Sequence, residues 1–339
     1  MSHLFNPILI SLISFIAIIL CSCSRSNAPF KHTFYRMDTI IRITLVAHPD
    51  DKRVDSTWTS IDSLLRDWEE RFSQTHERSE VFEINTLADD SCAAIPSPVL
   101  GEMLYDGLRY GDTLDGMFDI TILPVKKLWG FGENDQKQKI PDSSSLKKTL
   151  ERTGYHSVWL SSDKDTICFG KNTMAIDVGG IAKGFVLREI SLLLKRRGDY
   201  DYLIEAGGDI LVHGERSDGS EWRIGVRHPR ESELLVVFPL DSGCVVTSGD
   251  YERVWFHEGR RIHHIFNPHT GYPCSTIQSL TVWSMDPVEA DIVSTGLFCY
   301  DKDFILSFIE TRPRFECIIV DSGGEITVSD GWKRVVELK

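Results

Sequence analysis

The sequence predicts a mixed α/β (α+β) fold, because amphipathic helical patterns crowd the first third, short strand patterns dominate from Tyr155 onward, and no internal repeat divides them. At 339 residues with 42% hydrophobic content, the chain can bury a sizeable core as one large domain or two closely joined ones. A net charge of -13, with no Lys/Arg run longer than three, argues against nucleic acid as a partner, since phosphate backbones require a basic face. A small phosphate-bearing molecule remains open, because one lysine or a metal can meet its charge locally.

In chain order, Pro7 to Leu20 is an apolar run of 14 residues, too short for a comfortable membrane span and suited to the core of a signal peptide. Leu20-Cys21-Ser22-Cys23 then resembles a bacterial lipobox. These features predict a signal peptide over residues 1–22, lipidation at Cys23, a tether over 23–31 and a folded domain over 32–339. They place the protein in the bacterial envelope, anchored by lipid and facing the periplasm; an uncleaved anchor is the alternative.

Thr33 to Val46 alternates as one long opening strand. Val54, Trp58, Ile61, Leu65, Trp68 and Phe72 form the stripe of a helix packed on a core. Ser97-Pro98 opens a second helix, serine capping and proline in the first turn, continuing through Leu100, Leu104 and Leu108. Polar Glu133 to Ser145 reads as a surface loop. Strands are expected at His156–Leu160, Thr166–Phe169, Tyr202–Ala206, Trp222–Val226 and Leu235–Leu240, with helices near 181–197, 287–300 and 301–310. Beyond Cys23, six cysteines show no paired spacing, and Cys168, Cys299 and Cys317 lie in apolar runs as small core residues.

Three stretches carry chemistry. Asp177-Val178-Gly179-Gly180-Ile181-Ala182-Lys183-Gly184 follows a short buried strand at Thr173–Ile176 and precedes a helix. Glycines let the backbone approach a ligand, the helix terminus offers unpaired N–H groups, and Lys183 adds positive charge, all suited to an anion. A tight packing turn with a surface lysine fits the same residues. Asp291, Ser294 and Thr295 stand at i, i+3 and i+4 on one helix face, an oxygen set for a hard cation such as Mg²⁺, or else a dipole-complementing acid with two back-bonded hydroxyls. His263-His264 precede Asn267-Pro268 and Thr270-Gly271, so an exposed strand-end His264 can accept a proton, although a lone His–His is more often a surface pair than a catalytic one.

Taken together, Met37-Asp38-Thr39, Ser79 to Asn85, Phe118-Asp119-Ile120-Thr121, Asp177 to Gly184, Gly207-Gly208-Asp209, Thr247 to Tyr251, His264 to Gly271 and Ala290-Asp291 with Ser294-Thr295 resemble the ApbE-type FAD:protein FMN transferases. The resemblance runs from Met37 to about Tyr300. It implies one compact enzyme domain with a T-fold-like core, helices packed on a largely antiparallel sheet, and FAD bound in a cleft. With Mg²⁺, such an enzyme splits the FAD pyrophosphate, attaches FMN to a threonine of an acceptor protein and releases AMP; a membrane redox-complex subunit would be the acceptor. By matching positions, Met37, Met117, Phe118, Asp119, Asp177, Lys183 and Ile265 would contact FAD. Gly180, Asp291, Ser294 and Thr295 would supply the metal site, and His264 with Asp177 the catalytic groups. Asp38 departs from the family's usual glycine, and no aromatic stands in clear register near Thr75-His76 to flank the flavin ring. Water in place of the acceptor would make an FAD pyrophosphatase, and binding without turnover a flavin-carrying lipoprotein.

Cys23→Ala is expected to release the protein from membranes, because stable anchoring needs the acyl chains on that residue. Membrane fractionation of parent and mutant checks this, and an unchanged distribution would refute the lipobox assignment.

Overall fold

The computed structural model describes residues 27–73, 76–87, 92–131, 138–198 and 200–336. The proposed signal peptide and the first four tether residues, Cys23 included, lie outside them, as do Thr75 and residues 133–137 of the expected polar loop, whereas tether residues 28–31 form the start of the first strand.

The chain opens with β1 (Ala28–Arg36) and β2 (Thr39–Ala47), an antiparallel hairpin that pairs Arg36 with Thr39. This corrects the single strand expected over Thr33–Val46: Met37 and Asp38, at φ 56° and 55°, turn the chain in two left-handed residues. Such turns match the right-handed twist of the strands, and aspartate is among the residues that tolerate them. The Met37 N–H donates to Glu69 Oε1 at 2.7 Å, which fixes the turn against α1 (Arg53–Phe72). That helix buries Val54, Ile61, Leu65, Trp68 and Phe72 of the expected stripe, and Trp58 lies at its margin.

α2 (Glu80–Leu87), β3 (Cys92–Ala94) and α3 (Pro98–Thr113) follow, with Ser97 Oγ accepting from the Leu100 N–H at 3.3 Å as the cap expected from sequence. After α4 (Leu123–Leu128), the expected polar loop ends early, because Asp142 caps α5 (Ser143–Leu150) by accepting from the Ser145 N–H at 2.9 Å. β4 (Val158–Leu160) and β5 (Thr166–Phe169) join β3 in a small sheet. α6 (Ala182–Gly198) leads into β6 (Asp201–Ala206), β7 (Asp209–His213), β8 (Trp222–Arg227), β9 (Leu234–Leu240) and β10 (Ser242–Gly249). The hairpin β11 (Val254–His257) and β12 (Arg260–His263) precedes β13 (Ile277–Ser284), α7 (Pro287–Gly296), α8 (Lys302–Glu310), β14 (Phe315–Asp321) and β15 (Ile326–Val328).

Eight strands form the main sheet in the order β1-β2-β6-β7-β10-β13-β14-β15, each neighbouring pair antiparallel. Side-chain alternation gives it two buried faces. Ile43, Leu45, Ile204 and Leu280 pack with the helices in the largest core, while Val46, Val212, Val245 and Val320 pack under β8, β9 and Trp332. Pairing of Ile41 with Ala206, Ala206 with Asp209 and Gly249 with Ser279 brings the start of β2, the β6–β7 turn, the end of β10 and the start of β13 to one end of the sheet.

Two sequence expectations need correction. Thr173–Ile176 is not a strand; Met174 and Ile176 are buried, but Thr173 has φ 61° and no neighbouring strand pairs with the segment. Instead, the Asn85 amide takes both backbone groups of Ile176, accepting from its N–H at 2.7 Å and donating to its carbonyl at 3.0 Å. A side chain thus does what a partner strand would do, satisfying buried backbone without a ladder. The cysteines also pair: β3 and β5 set Cys92 opposite Cys168 in a disulfide, and Cys274 bonds Cys299, whereas Cys244 and Cys317 stay free in the core. The partners are 76 and 25 residues apart, so only strand register and loop return bring them together.

Asn85→Ala leaves two backbone groups of Ile176 unpaired beside the Asp177 turn and is expected to cost about 1–3 kcal/mol of stability. Urea unfolding measures this, and a change under about 0.5 kcal/mol would show that water replaces the amide.

Candidate active site

The site is built on a close crossing of two helices. A Cβ on Gly184, in the first turn of α6, would lie 2.5 Å from the Pro287 carbonyl oxygen and 2.7 Å from Val288 Cα, so only a hydrogen fits where α6 meets α7. At that approach the Gly184 N–H donates to Asp291 Oδ2 at 2.8 Å. The helix terminus therefore differs from the open anion cradle expected from sequence. Its neighbourhood is already bonded: Ala182 N–H to Val178 O at 2.9 Å, and Gly179 N–H to Asp177 Oδ1 at 2.7 Å. The positive charge available to an anion lies on side chains.

Lys183 provides it. Its ammonium contacts the carboxylate of Asp209, which begins β7 and also accepts from the Thr247 N–H at 3.3 Å. Burial by itself would lower the Lys183 pKa, but Asp209 and Asp291 outweigh it and hold the lysine above its ordinary value, so the ammonium persists at neutral pH. Asp291 is buried, and desolvation, reinforced by Asp209, keeps it above the ordinary carboxylate range, against the pull of Lys183.

The proposed metal residues converge. Gly180 packs beside Thr295, whose methyl would be 3.3 Å from a Cβ on the glycine. Ser294 is fully buried and committed, donating to the Asp291 carbonyl at 3.0 Å and accepting from Ser248 Oγ at 3.0 Å. Thr295 is partly exposed, with Ser248 Oγ 3.5 Å away. With Asp291 Oδ2 on Gly184, the groups that fit a cation are Asp291 Oδ1, Thr295 Oγ1 and the Gly180 carbonyl. No cluster of three or more His, Cys, Asp or Glu side chains suited to a metal occurs among the described residues, and this oxygen set is the hard-ligand kind that Mg²⁺ accepts.

Asp177 is buried and engaged at both oxygens, one by Gly179 and the other by the Lys126 ammonium of α4. Its N–H donates to Ile120 O at 2.6 Å, tying the glycine turn to the Phe118–Thr121 segment. Phe118 lies against Gly180, with its ring 3.1 Å from the Cβ position, and Met117 is half-buried next to it in sequence. The Asp119 carboxylate faces inward, accepting from Thr121 N–H, Thr121 Oγ1 and Tyr155 N–H at 2.7, 2.6 and 3.2 Å, so its role is to shape the loop. Met37 stands apart in the β1–β2 turn, joined to the site through the Gly207 N–H bond to Ile40 O at 3.2 Å.

His264 follows β12. Sequence suggested an exposed strand-end imidazole; in the structure it is half-buried, its Nδ1 is buried with no hydrogen-bond partner, and Phe131 lies 6.5 Å away, centroid to centroid. Desolvation pushes its pKa down to about 3, and the Lys126 and Arg253 cations push the same way. Ile265 is buried in the core, and its N–H and carbonyl bond His263 Nδ1 at 3.3 Å and the Cys274 N–H at 3.0 Å. His263 is structural, its Nε2 on the Cys274 carbonyl at 2.7 Å.

Sequence reasoning missed Lys126, Ser248 and the separate part played by Asp209. Asp209 and Ser248 lie in Gly-Gly-Asp and Thr-Ser-Gly-Asp motifs, which signalled importance without a role, whereas nothing in the α4 sequence marks Lys126.

Residues 37–319 match the ApbE family. The chain belongs to that family. Among ApbE relatives, the FAD:protein FMN transferase of Haemophilus influenzae is 28% identical over 294 residues, covering 84% of this chain and 85% of that one. The transferase of the same name from Vibrio cholerae is 26% identical over 321 residues, covering 93% and 95%. The crystal structure of the ApbE protein from Thermotoga maritima superposes with a TM-score of 0.83 at 29% identity, covering 91% of this chain and 99% of that one. The ApbE flavin transferase structure from Vibrio cholerae shares the fold, with a TM-score of 0.82 at 24% identity over 91% and 99% of the chains. The family's helix-on-antiparallel-sheet domain is therefore the fold that positions these residues.

The neutral His264 ring has a measurable consequence. Unfolded histidine takes up a proton near pH 6.5, whereas the folded ring stays neutral to about 3, so the unfolded state binds more protons in that window. Stability is expected to fall as pH drops from about 6.5 towards 3, with no contribution above that range. Urea unfolding of the parent and His264→Gln across pH 4–7.5 tests it: the mutant should lose part of the acid dependence, and identical slopes would remove the assignment.

Proposed function

We propose that this chain is a Mg²⁺-dependent FAD:protein FMN transferase that joins FMN to an acceptor threonine and releases AMP. One observation carries the reading: Lys183, Asp291, Thr295 and Gly180, from two helices and the turn before them, converge through the Gly184–Asp291 bond at one end of the sheet. The names of the curated relatives support it.

In the reaction, the threonine oxygen forms a bond to the FMN phosphorus, the bridging P–O bond breaks, and the leaving oxygen departs on AMP. Such transfer depends on neutralised charge and alignment more than on covalent help. Asp291, Thr295 and the Gly180 carbonyl would hold Mg²⁺, which when bound neutralises diphosphate charge and favours the leaving group. Lys183 draws the diphosphate towards the α6 terminus. Asp177 holds the glycine turn on one oxygen and Lys126 on the other, so turn and cation stay in place as substrate enters. His264, whose half-buried ring keeps some surface open, is the group we assign to position the incoming hydroxyl or take its proton. The ring's proton affinity is low in the free protein, and a diphosphate bound near it would raise that affinity. Met37, Met117 and Phe118 would supply the flavin-side contacts, as the family resemblance implies, with Phe118 against Gly180 and Met37 in the β1–β2 turn.

The proposal extends to place. The two disulfides fit an oxidising compartment, and with the lipobox they support an enzyme anchored to a bacterial membrane on its outer side, acting on a membrane redox-complex subunit.

Mass gain on an acceptor domain, measured beside FAD affinity by fluorescence quenching, tests the mechanism. His264→Ala is expected to lower transfer about 10²-fold or more with FAD affinity nearly unchanged. Asp291→Ala is expected to abolish the Mg²⁺-dependent reaction. Free FMN in place of mass gain would establish hydrolysis, and full transfer by His264→Ala would exclude the histidine.

A further inference from the structure

We infer that Asp209 is a positioning residue for substrate binding, which acts by holding the Lys183 ammonium away from Asp291. The inference rests on the reading of this site as an FAD site.

Asp209 is 1% exposed and begins β7, directly after the Gly207-Gly208 turn. One carboxylate oxygen takes the Thr247 N–H of β10 at 3.3 Å; the other contacts the Lys183 ammonium of α6. It therefore fixes a helix side chain to two strands of the main sheet. Lys183 would otherwise be a free four-carbon arm whose ordering opposes binding; held on Asp209, it is ordered before substrate arrives.

Asp291 is the second carboxylate acting strongly on Lys183, and it sits on the facing helix with Oδ2 already on Gly184. Without Asp209, Asp291 is the remaining acid whose charge acts most on the ammonium. Lys183 would then occupy the oxygen that fits a cation and turn away from the diphosphate. Two acids and one lysine thus divide the work: Asp209 restrains the lysine, and Asp291 remains available.

A double-mutant cycle on the full exported protein, read by FAD fluorescence quenching with Mg²⁺ present, tests this. Asp209→Ala is expected to weaken FAD binding about tenfold or more, and Asp209→Asn, which keeps an acceptor oxygen, to restore it to within about threefold. In a Lys183→Gln background, Asp209→Ala should weaken binding no further, because the residue through which Asp209 acts is gone. Thermal unfolding of each variant separates this from damage to the fold. Should Asp209→Ala not fold, Asp209→Ser, which keeps a hydroxyl near the Thr247 N–H and withdraws the partner of Lys183, supplies the same cycle. Additive losses in the double mutant, or unchanged affinity in a folded single mutant whose parent binds FAD, would overturn the role of Asp209 and leave the transferase reading standing. A parent that binds no FAD would overturn the reading itself.

Discussion

The hydrogen bond from the Gly184 N–H to Asp291 depends on two helices approaching more closely than any side chain at position 184 permits, and the site depends on that approach. It places the lysine of one helix, the acid of the other and the preceding glycine turn within one small volume. It also gives a backbone donor at a helix start a buried carboxylate partner, a favourable placement for negative charge. A substituent at Gly184 would separate the helices and disperse all three elements together.

Charge inside the site is balanced short of neutrality. Asp177, Asp209 and Asp291 are buried carboxylates, answered by the ammonium groups of Lys126 and Lys183. A dinucleotide diphosphate alone would meet excess negative charge there, whereas a divalent cation would be attracted. That ordering follows from desolvated charges, whose mutual influence is large where water is excluded. The overall charge of -13 has little part in it.

Much of the machinery around these groups consists of side chains standing in for backbone. Asn85 replaces a strand for Ile176, Asp119 organises the loop that carries Phe118, and His263 pins the return of the chain at Cys274, which is in turn bonded to Cys299 just beyond the α7 helix. Irregular backbone can pass beside a ligand cleft only if its polar groups are satisfied in this way.

Sequence by itself determined the mixed fold class, the amphipathic first helix, the Ser97 cap, the helix face of Asp291, Ser294 and Thr295, and the glycine turn ending in Lys183. These are local properties, fixed by spacing along a few turns of chain. Tertiary structure alone decided that Thr33–Val46 folds into a hairpin, that Thr173–Ile176 pairs with an amide, and which cysteines join. It decided that the α6 terminus is bonded by Asp291, that Ser294 is committed while Thr295 is not, and that His264 is desolvated. Each of these outcomes compares partners distant in sequence for one donor, one acceptor or one volume. Such competition is settled by the packing of sheet and helices, which periodicity along the chain does not encode.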